Sequence, residues 1–292
     1  MKNIEATFDN IKESFDGILL LGNFDGVHKG HVELVRTALD MSDNVAVLLF
    51  KNHPLDVFKP EEKHPFLTTL DDKIRRFRNL GVDTFYVIDN TIEFYNHSKD
   101  EFIEFLKRIN PSKIVVGEDY TFGKGKEGNV SHLKECFSTS IVPLLKINDT
   151  KVGTYQIKEL LKNGDVSFAN NLLGYNYEVR GKVIKGYGNG RTIGFPTANL
   201  ELKDNYLLPK NGVYKTLVYV RGIPHYAITN VGKNPTVGLL KHQIVESYIK
   251  DINEDLYGES IYVSFIEYLR DEKKFDSLDD LKAQLEQDKK TI

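Results

Sequence analysis

The feature that most constrains this chain is a change of hydrophobic period about three-fifths of the way along it. From Asp16 to about Leu173, short apolar runs alternate with helix-period segments. "GILLLG" (17–22) and "NVAVLLF" (44–50) read as buried strands, and "GHVELVRTALDM" (30–41) places Val32, Val35 and Leu39 on one helical stripe. A helix "DDKIRRFRNLG" (71–81) then precedes the strand "TFYVID", and further helix–strand pairs follow in "DEFIEFLKRI", "KIVVGED", "SHLKECF" and "IVPLLKI". Near-continuous apolar strands separated by helices imply a parallel sheet covered on both faces. Such a doubly wound, Rossmann-like α/β domain binds ligands beyond the carboxyl ends of its strands.

After "LLGYNYEV" the helices stop. Six strand-like stretches follow, "YEVRGKVI", "TANLEL", "GVYKTLVYV", "PHYAITNV", "QIVESYIK" and "SIYVSFIEYL", and imply an antiparallel barrel or sandwich. One helix, "SLDDLKAQLEQDKK", closes the chain, with Ser277 and Asp280 spaced as a capping box. The expected division is therefore residues 1–173 and 174–292. A chain of 292 residues is long enough for two cores.

Charge and cysteine usage exclude several classes. A net charge of −3 argues against a nucleic-acid coat, although local phosphate pockets remain compatible with it. The single cysteine, Cys136, forbids an intrachain disulfide, and its amphipathic surroundings suggest a packed small hydrophobe rather than a nucleophile. The apolar runs are strand-sized and the first ten residues carry no signal region, so the expectation is a cytoplasmic protein with small-molecule substrates and neither a membrane nor a nucleic-acid partner. Oligomeric state is not legible.

Two glycine-rich turns carry the chemistry. "LGNFDGVHKGH" (21–31) joins the first strand to the first long helix. Gly22 and Gly26 permit a sharp turn and close approach of a ligand, and the helix offers its free N–H groups to an anion. His28 and His31, three apart, can face one point and donate to phosphate oxygens. Glycine spacing alone would equally describe a plain strand–turn–helix corner; the His-x-Gly-His pair favours function. No further ligands at zinc spacing occur nearby, and G-x-G-x-x-G is absent. "FKNHP" (50–54) and "GEDYTFGKGKEGN" (117–129) fall in loops at the same edge of the sheet, where Lys124 and Lys126 are either phosphate-steadying cations or parts of a solvated loop.

In "KGYGNGRTIGFPTANL" (185–200), Gly186, Gly188 and Gly190 alternate ahead of Arg191, and Pro196 sets the entry of a strand. The two-residue period turns Thr197 and Asn199 to one face, where a hydroxyl and an amide oxygen suit Mg²⁺ shared with a nucleotide. Glu246 is placed on a strand face with Ile244 and Tyr248; spacing alone leaves a solvent-facing residue and a catalytic base both open.

These segments, with "NVGKNPTVG", "DLYGESIYVSFIEYLR" and "KFDSLDDLKAQLEQD", resemble the bacterial bifunctional riboflavin kinase/FMN adenylyltransferase (FAD synthetase) family over nearly the whole chain. The resemblance implies a nucleotidyltransferase-type α/β domain and a six-stranded riboflavin kinase barrel. It implies ATP and Mg²⁺, with riboflavin, FMN and FAD as substrates or products. Thr197 and Asn199 would hold the metal, Glu246 would be the base, and His28 and His31 would serve the ATP phosphates of adenylyl transfer. Gly22, Asn23, Phe24, Gly26, Gly30, Lys124 and Lys158 would then line the first nucleotide site, and Gly186, Gly188, Gly190 and Arg191 the second. Asn23, Asp25, His53 and Asp119, and in the barrel Arg270, would approach the flavins.

One departure stands out. Where the family has Ser-Ser-Thr-x-Ile-Arg, this chain reads "VGTYQIK" (152–158), with Thr154, Tyr155 and Lys158 at the serine, threonine and arginine places. Two other readings follow: a kinase whose first domain only binds nucleotide or flavin, and a flavin-sensing regulator.

Overall fold

The structure, a computed structural model, describes residues 2–292 except 12, 53, 63, 187–193, 203, 234–242, 253 and 276. Two compact units divide it, Met1–Thr154 and Tyr155–Ile292.

In the first unit β1 (Lys2–Ala6), β2 (Ile18–Leu20), β3 (Val45–Phe50), β4 (Thr84–Ile88), β5 (Lys113–Gly117) and β6 (Thr139–Val142) form one parallel sheet in the order β1-β4-β3-β2-β5-β6. Alternate residues of the central strands enter opposite cores. Leu19, Ala46, Leu48 and Ile114 join one cluster, while Ile18, Leu20, Val45, Val47 and Val115 join the other. Both faces are dry, which is why these strands needed unbroken apolar runs. The helices α1 (Lys29–Leu39), α2 (Leu70–Asn79), α3 (Lys99–Ile109) and α4 (Val130–Cys136) complete the layers. From β2 the chain moves outward to β3 and β4, then returns to β5 on the other side. The strand order therefore reverses between β2 and β5, and the loops after those two strands meet at the switch point, the usual ligand crevice of such sheets.

Strand β1 was not anticipated. Only Ile4 and Ala6 of its five residues are buried, as expected of an edge strand with one short apolar alternation. Cys136 corrects another expectation: it is exposed. Helix α4 ends at this residue, and the following Phe137 packs against the core in its stead.

In the second unit α5 (Thr154–Asn163, its first residue still in the first unit) and α6 (Val166–Leu173) precede a closed antiparallel barrel. Its strands are β7 (Glu178–Ile184), β8 (Thr197–Leu202), β9 (Gly212–Val220), β10 (Ile223–Lys233), β11 (Gln243–Ile249) and β12 (Ser260–Arg270), ordered β7-β8-β11-β10-β9-β12. Closure decides between barrel and sandwich. Inside, Val179, Leu200, Val218, Val231, Val245 and Val263 are buried, and Thr216, Thr229 and Ser247 satisfy one another through hydroxyl contacts of 2.7 and 2.8 Å. Asn170 of α6 donates to Phe265 O at 2.9 Å and accepts from Tyr177 N at 2.7 Å, tying that helix to the barrel. The last helix, α7 (Leu278–Lys289), starts at the expected Ser277 cap, whose Oγ accepts from Asp280 N.

Candidate functional sites

The turn after β2 is built on strained backbone. Phe24 (φ 54°) and Val27 (φ 38°) both adopt left-handed conformations without being glycine, beside Gly26 at φ 89°. Such residues cost of order 1–3 kcal/mol each and persist only where packing over-determines them. Here Phe24 is fully buried, edge-on to Phe77 at 5.0 Å and to His31 at 5.1 Å. A Cβ on Gly22 would lie 2.9 Å from the Phe24 ring, so the glycine makes room for it.

Asp25 is turned inward. Its Oδ1 accepts from Leu67 N at 2.8 Å and Thr68 N at 3.1 Å, while Gly26 N donates to Thr68 Oγ1 at 2.8 Å. Thr154 Oγ1 donates to Asp25 O at 2.8 Å. Asp25 thus latches the turn to the segment ahead of α2.

His28 is the N-cap of α1, and its ring stacks on that of His31 at 3.6 Å with a 17° interplanar angle. A Cβ on Gly30 would sit 3.2 Å from the His28 ring, so this glycine keeps the stack compact. Burial pushes His28 down to about 4, opposed by the Asp25 and Asp119 carboxylates and abetted by Lys151. His31 is held well below its ordinary range by burial, then by His28 and Lys73. Both rings are therefore neutral at physiological pH, each with one N–H to donate. The Nδ1 atoms of both are buried and without a hydrogen-bond partner among the described residues. Stacked, desolvated imidazoles at a helix N-terminus are suited to donate where phosphate charge develops.

Around this pair, Asp119 follows β5 and its Oδ2 accepts from Lys151 Nζ at 2.7 Å. Asn23 is exposed, with its carbonyl turned to Lys73. Lys124 and Lys126 are exposed in a short helical turn, Lys124–Lys126, whose first N–H donates to His97 O at 2.8 Å. His53 lies outside the described residues. Sequence reasoning missed Asn90, which is fully buried at the end of β4: its Oδ1 accepts from Asn52 N and its Nδ2 donates to Asn52 O and to the Tyr95 hydroxyl. Tyr95 in turn contacts Phe58 and Phe50, making an aromatic wall at the carboxyl edge of the sheet. Tyr155, 71% exposed, and Lys158 belong to the second unit, whereas Thr154 belongs to the first.

The barrel site lies on its outer face. Pairing sets Asn199 of β8 opposite Glu246 of β11, and Glu246 opposite Asn230 of β10. Thr197 Oγ1 donates to Glu246 Oε1. Their neighbours Ala198, Leu200, Val245 and Ser247 point into the core, so strand alternation alone delivers Thr197, Asn199 and Glu246 to one half-buried surface. Gly186 lies against this row: a Cβ there would be 2.2 Å from Asn199 Nδ2. Gly188, Gly190 and Arg191 fall outside the described residues. Asn230 Nδ2 donates to Glu272 Oε1 at 3.3 Å, extending the polar row in a way sequence reasoning missed. Arg270 ends β12. Its Nε and Nη2 donate to the Asp288 carboxylate, the latter at 2.6 Å, in a buried pair that fastens α7 to the barrel. A Thr–Asn face opposite a carboxylate, with a glycine backbone pressed on the amide, fits a hard cation held mainly through water and phosphate.

Comparison with known proteins finds two family matches in succession along the chain. A FAD synthetase family model matches residues 11–156 and a riboflavin kinase model matches residues 173–292. The bifunctional riboflavin kinase/FMN adenylyltransferase of Listeria monocytogenes is 36% identical over 281 residues, covering 93% of this chain and 90% of that protein. The protein of the same name from Bacillus subtilis is 34% identical, with 99% and 96% covered. The chain belongs to the bifunctional riboflavin kinase/FMN adenylyltransferase family. Residues 157–172, which carry most of α5 and α6, lie between the two family matches. A solved structure described as a macrolide-efflux protein from Streptococcus pneumoniae shares the fold, with a TM-score of 0.89, 33% identity and 98% of each chain covered. Among the described residues of this chain no helix is long and apolar enough to cross a membrane.

Proposed function

We propose that the protein phosphorylates riboflavin to FMN on the outer face of the barrel and adenylylates FMN to FAD at the carboxyl edge of the parallel sheet. Residues up to 173 are assigned to the second activity and those from 174 to the first. The observation that carries the kinase reading is the cross-strand row of Thr197, Asn199 and Glu246, with the Thr197 hydroxyl donating to the Glu246 carboxylate.

In the kinase site Glu246 accepts the proton of the riboflavin hydroxyl as the hydroxyl oxygen attacks the γ-phosphorus of ATP, the bond from that phosphorus to the bridging oxygen breaks and ADP leaves. Thr197 and Asn199 would hold Mg²⁺, which supplies neutralising charge on the nucleotide phosphates. The Gly186 backbone closes against Asn199, and Gly188, Gly190 and Arg191 are assigned to the same nucleotide. Arg270 acts indirectly by holding α7 in place.

In the adenylyl-transfer site an FMN phosphate oxygen attacks the α-phosphorus of ATP and pyrophosphate leaves. His28 and His31, neutral and desolvated, donate to the oxygens that gain charge, and Gly22, Gly26 and Gly30 allow the close approach. Tyr95 and Phe58 offer a surface for a planar ring, and Asn23, Asp25, His53 and Asp119 are the residues that the resemblance assigns to the flavin. Lys124 steadies phosphates as a mobile cation, and Lys158 serves the triphosphate as a point charge where the family has an arginine's fork. The cytoplasm is the compartment that this ATP chemistry and the single thiol suggest.

Incubation with riboflavin, ATP and Mg²⁺, followed by chromatography of the flavins, tests the reading. FMN and then FAD are expected. FMN alone would favour a binding-only first domain, and neither product would favour a flavin sensor.

A further inference from the structure

Lys73 is a buried cation that the reaction described above does not use. It lies in α2 and is 8% exposed, and its Nζ donates to Asn23 O at 3.0 Å, across fifty residues of sequence. Its position is set independently of that bond. The Thr69–Asp72 capping box fixes where α2 begins, and Asp25 grips the Leu67 and Thr68 amides just ahead of it. Lys73 therefore reaches the turn from a rigid helix.

The carbonyl it holds belongs to the peptide that precedes Phe24, the left-handed residue of the turn. In a trans peptide the C=O and N–H point in opposite directions. With the Asn23 carbonyl drawn towards α2, the Phe24 N–H is turned away from that helix, and no group among the described residues accepts from it. The Phe24 ring meanwhile abuts His31, so the N–H belongs to the same turn as the imidazole pair. An outward backbone donor beside two neutral imidazoles and a helix N-terminus completes a set of donors for an anion.

We propose that Lys73 is a positioning residue for adenylyl transfer: its buried ammonium locks the Asn23 carbonyl and so presents the Phe24 N–H to the phosphates that His28 and His31 serve. The inference rests on the assignment of adenylyl transfer to this turn. The same charge also opposes protonation of His31, alongside burial and His28, while His28 itself faces Asp25, Asp119 and Lys151. A lysine that were only a structural latch would affect stability and leave the titration of the reaction alone.

The test uses the full chain with FMN and ATP as substrates, measuring FAD formation between pH 5 and pH 9 together with thermal stability. Lys73→Met keeps the length and removes the donor. It should lower kcat by on the order of 10²-fold, the scale of a misplaced catalytic group, with the KM for FMN little changed. The acid limb of its kcat profile should move to higher pH, because His31 protonates more readily without the cation. Lys73→Arg, which retains charge and donor, should recover much of the rate. Wild-type kcat and pH profile in Lys73→Met would overturn the proposal, as would a loss of activity that merely tracks melting with the acid limb unmoved. Failure of the unaltered protein to make FAD would instead overturn the site assignment beneath it.

Discussion

The two sites are assembled by opposite means. At the sheet edge, the histidine pair and the strained backbone beside it come from one eleven-residue stretch, and the fold's contribution is to bend that backbone into left-handed conformations and to dry the histidines. On the barrel, the groups are separated by up to some fifty residues, and the fold's contribution is register: Asn199 meets Glu246 because β8 pairs with β11 at that spacing. The first site sets charge by burial, which holds both imidazoles neutral. The second leaves its carboxylate half-buried and positions it with a hydroxyl. A local motif can therefore carry buried, strained chemistry, whereas a site set by strand register needs only correct pairing and an ordinary outward-facing surface.

The strongest test of this contrast is on the barrel. Glu246→Gln preserves shape and register but cannot take a proton, so riboflavin phosphorylation should fall by roughly 10²–10⁴-fold. FAD formation from supplied FMN should continue, because that chemistry is assigned to the other unit. A near-normal phosphorylation rate would make Glu246 a surface residue of the strand. At the sheet edge, His31→Ala removes one preorganised donor and should slow FAD formation by about 10²–10³-fold, with FMN accumulating from riboflavin. Equal loss of both activities in a folded variant would erase the distinction between the sites.

What could be read from the sequence follows the same division. The His-x-Gly-His turn and the alternation of Thr197 with Asn199 are local, so both were visible from spacing. The parallel sheet was legible because strands dry on both faces must be continuously apolar, and the barrel because alternation with no helix leaves few other architectures. Strand β1 escaped because an edge strand that buries only Ile4 and Ala6 hardly differs from a polar tail. Lys73, Asn90 and Asn230 escaped for another reason. Each acquires its meaning from a partner distant in sequence, and nothing local distinguishes Lys73 from the charged surface of an amphipathic helix. Asp25 and Arg270 stand out in the sequence by their motifs, whereas the framework bonds they make, to the Leu67 and Thr68 amides and to Asp288, depend on partners elsewhere in the chain.

Burial of the histidines has a cost in acid that sharpens the comparison further. In the unfolded chain His28 titrates near 6.5, and in the folded protein near 4. Above pH 6.5 neither state binds the proton. Between 6.5 and 4 the unfolded state binds it first, so stability falls as pH falls, by about 3 kcal/mol for this one group. Amide protection in β2 and β5 should therefore drop between pH 7 and pH 4.5 relative to protection in β9 and β12, once intrinsic exchange is corrected for. His28→Asn should flatten that dependence. Equal acid sensitivity of the two units, unchanged by the substitution, would mean that the drying of this pair does not set their difference.

The smallest effect expected concerns Thr154 of "VGTYQIK". The Thr154 hydroxyl donates to the Asp25 carbonyl, so it braces the same turn that Asp25 latches through its carboxylate. Thr154→Val keeps the β-branched shape and removes only the hydroxyl. One hydrogen bond of this kind contributes about 0.5–1.5 kcal/mol, and FAD formation should decline by a few-fold while riboflavin phosphorylation holds. Thr154→Ser supplies the family's residue and retains the donor, so it should behave as the unaltered protein. A direct grip on the triphosphate predicts something different: Thr154→Val would then raise the KM for ATP in FAD formation with little change in stability. Lys158→Arg separates these cases, because a planar fork that engages phosphate should lower the same KM, whereas a brace on the turn would leave it unmoved. If Thr154→Val shifts stability alone and Lys158→Arg shifts nothing, this segment is framework, and the turn with its stacked histidines carries the adenylyl transfer without it.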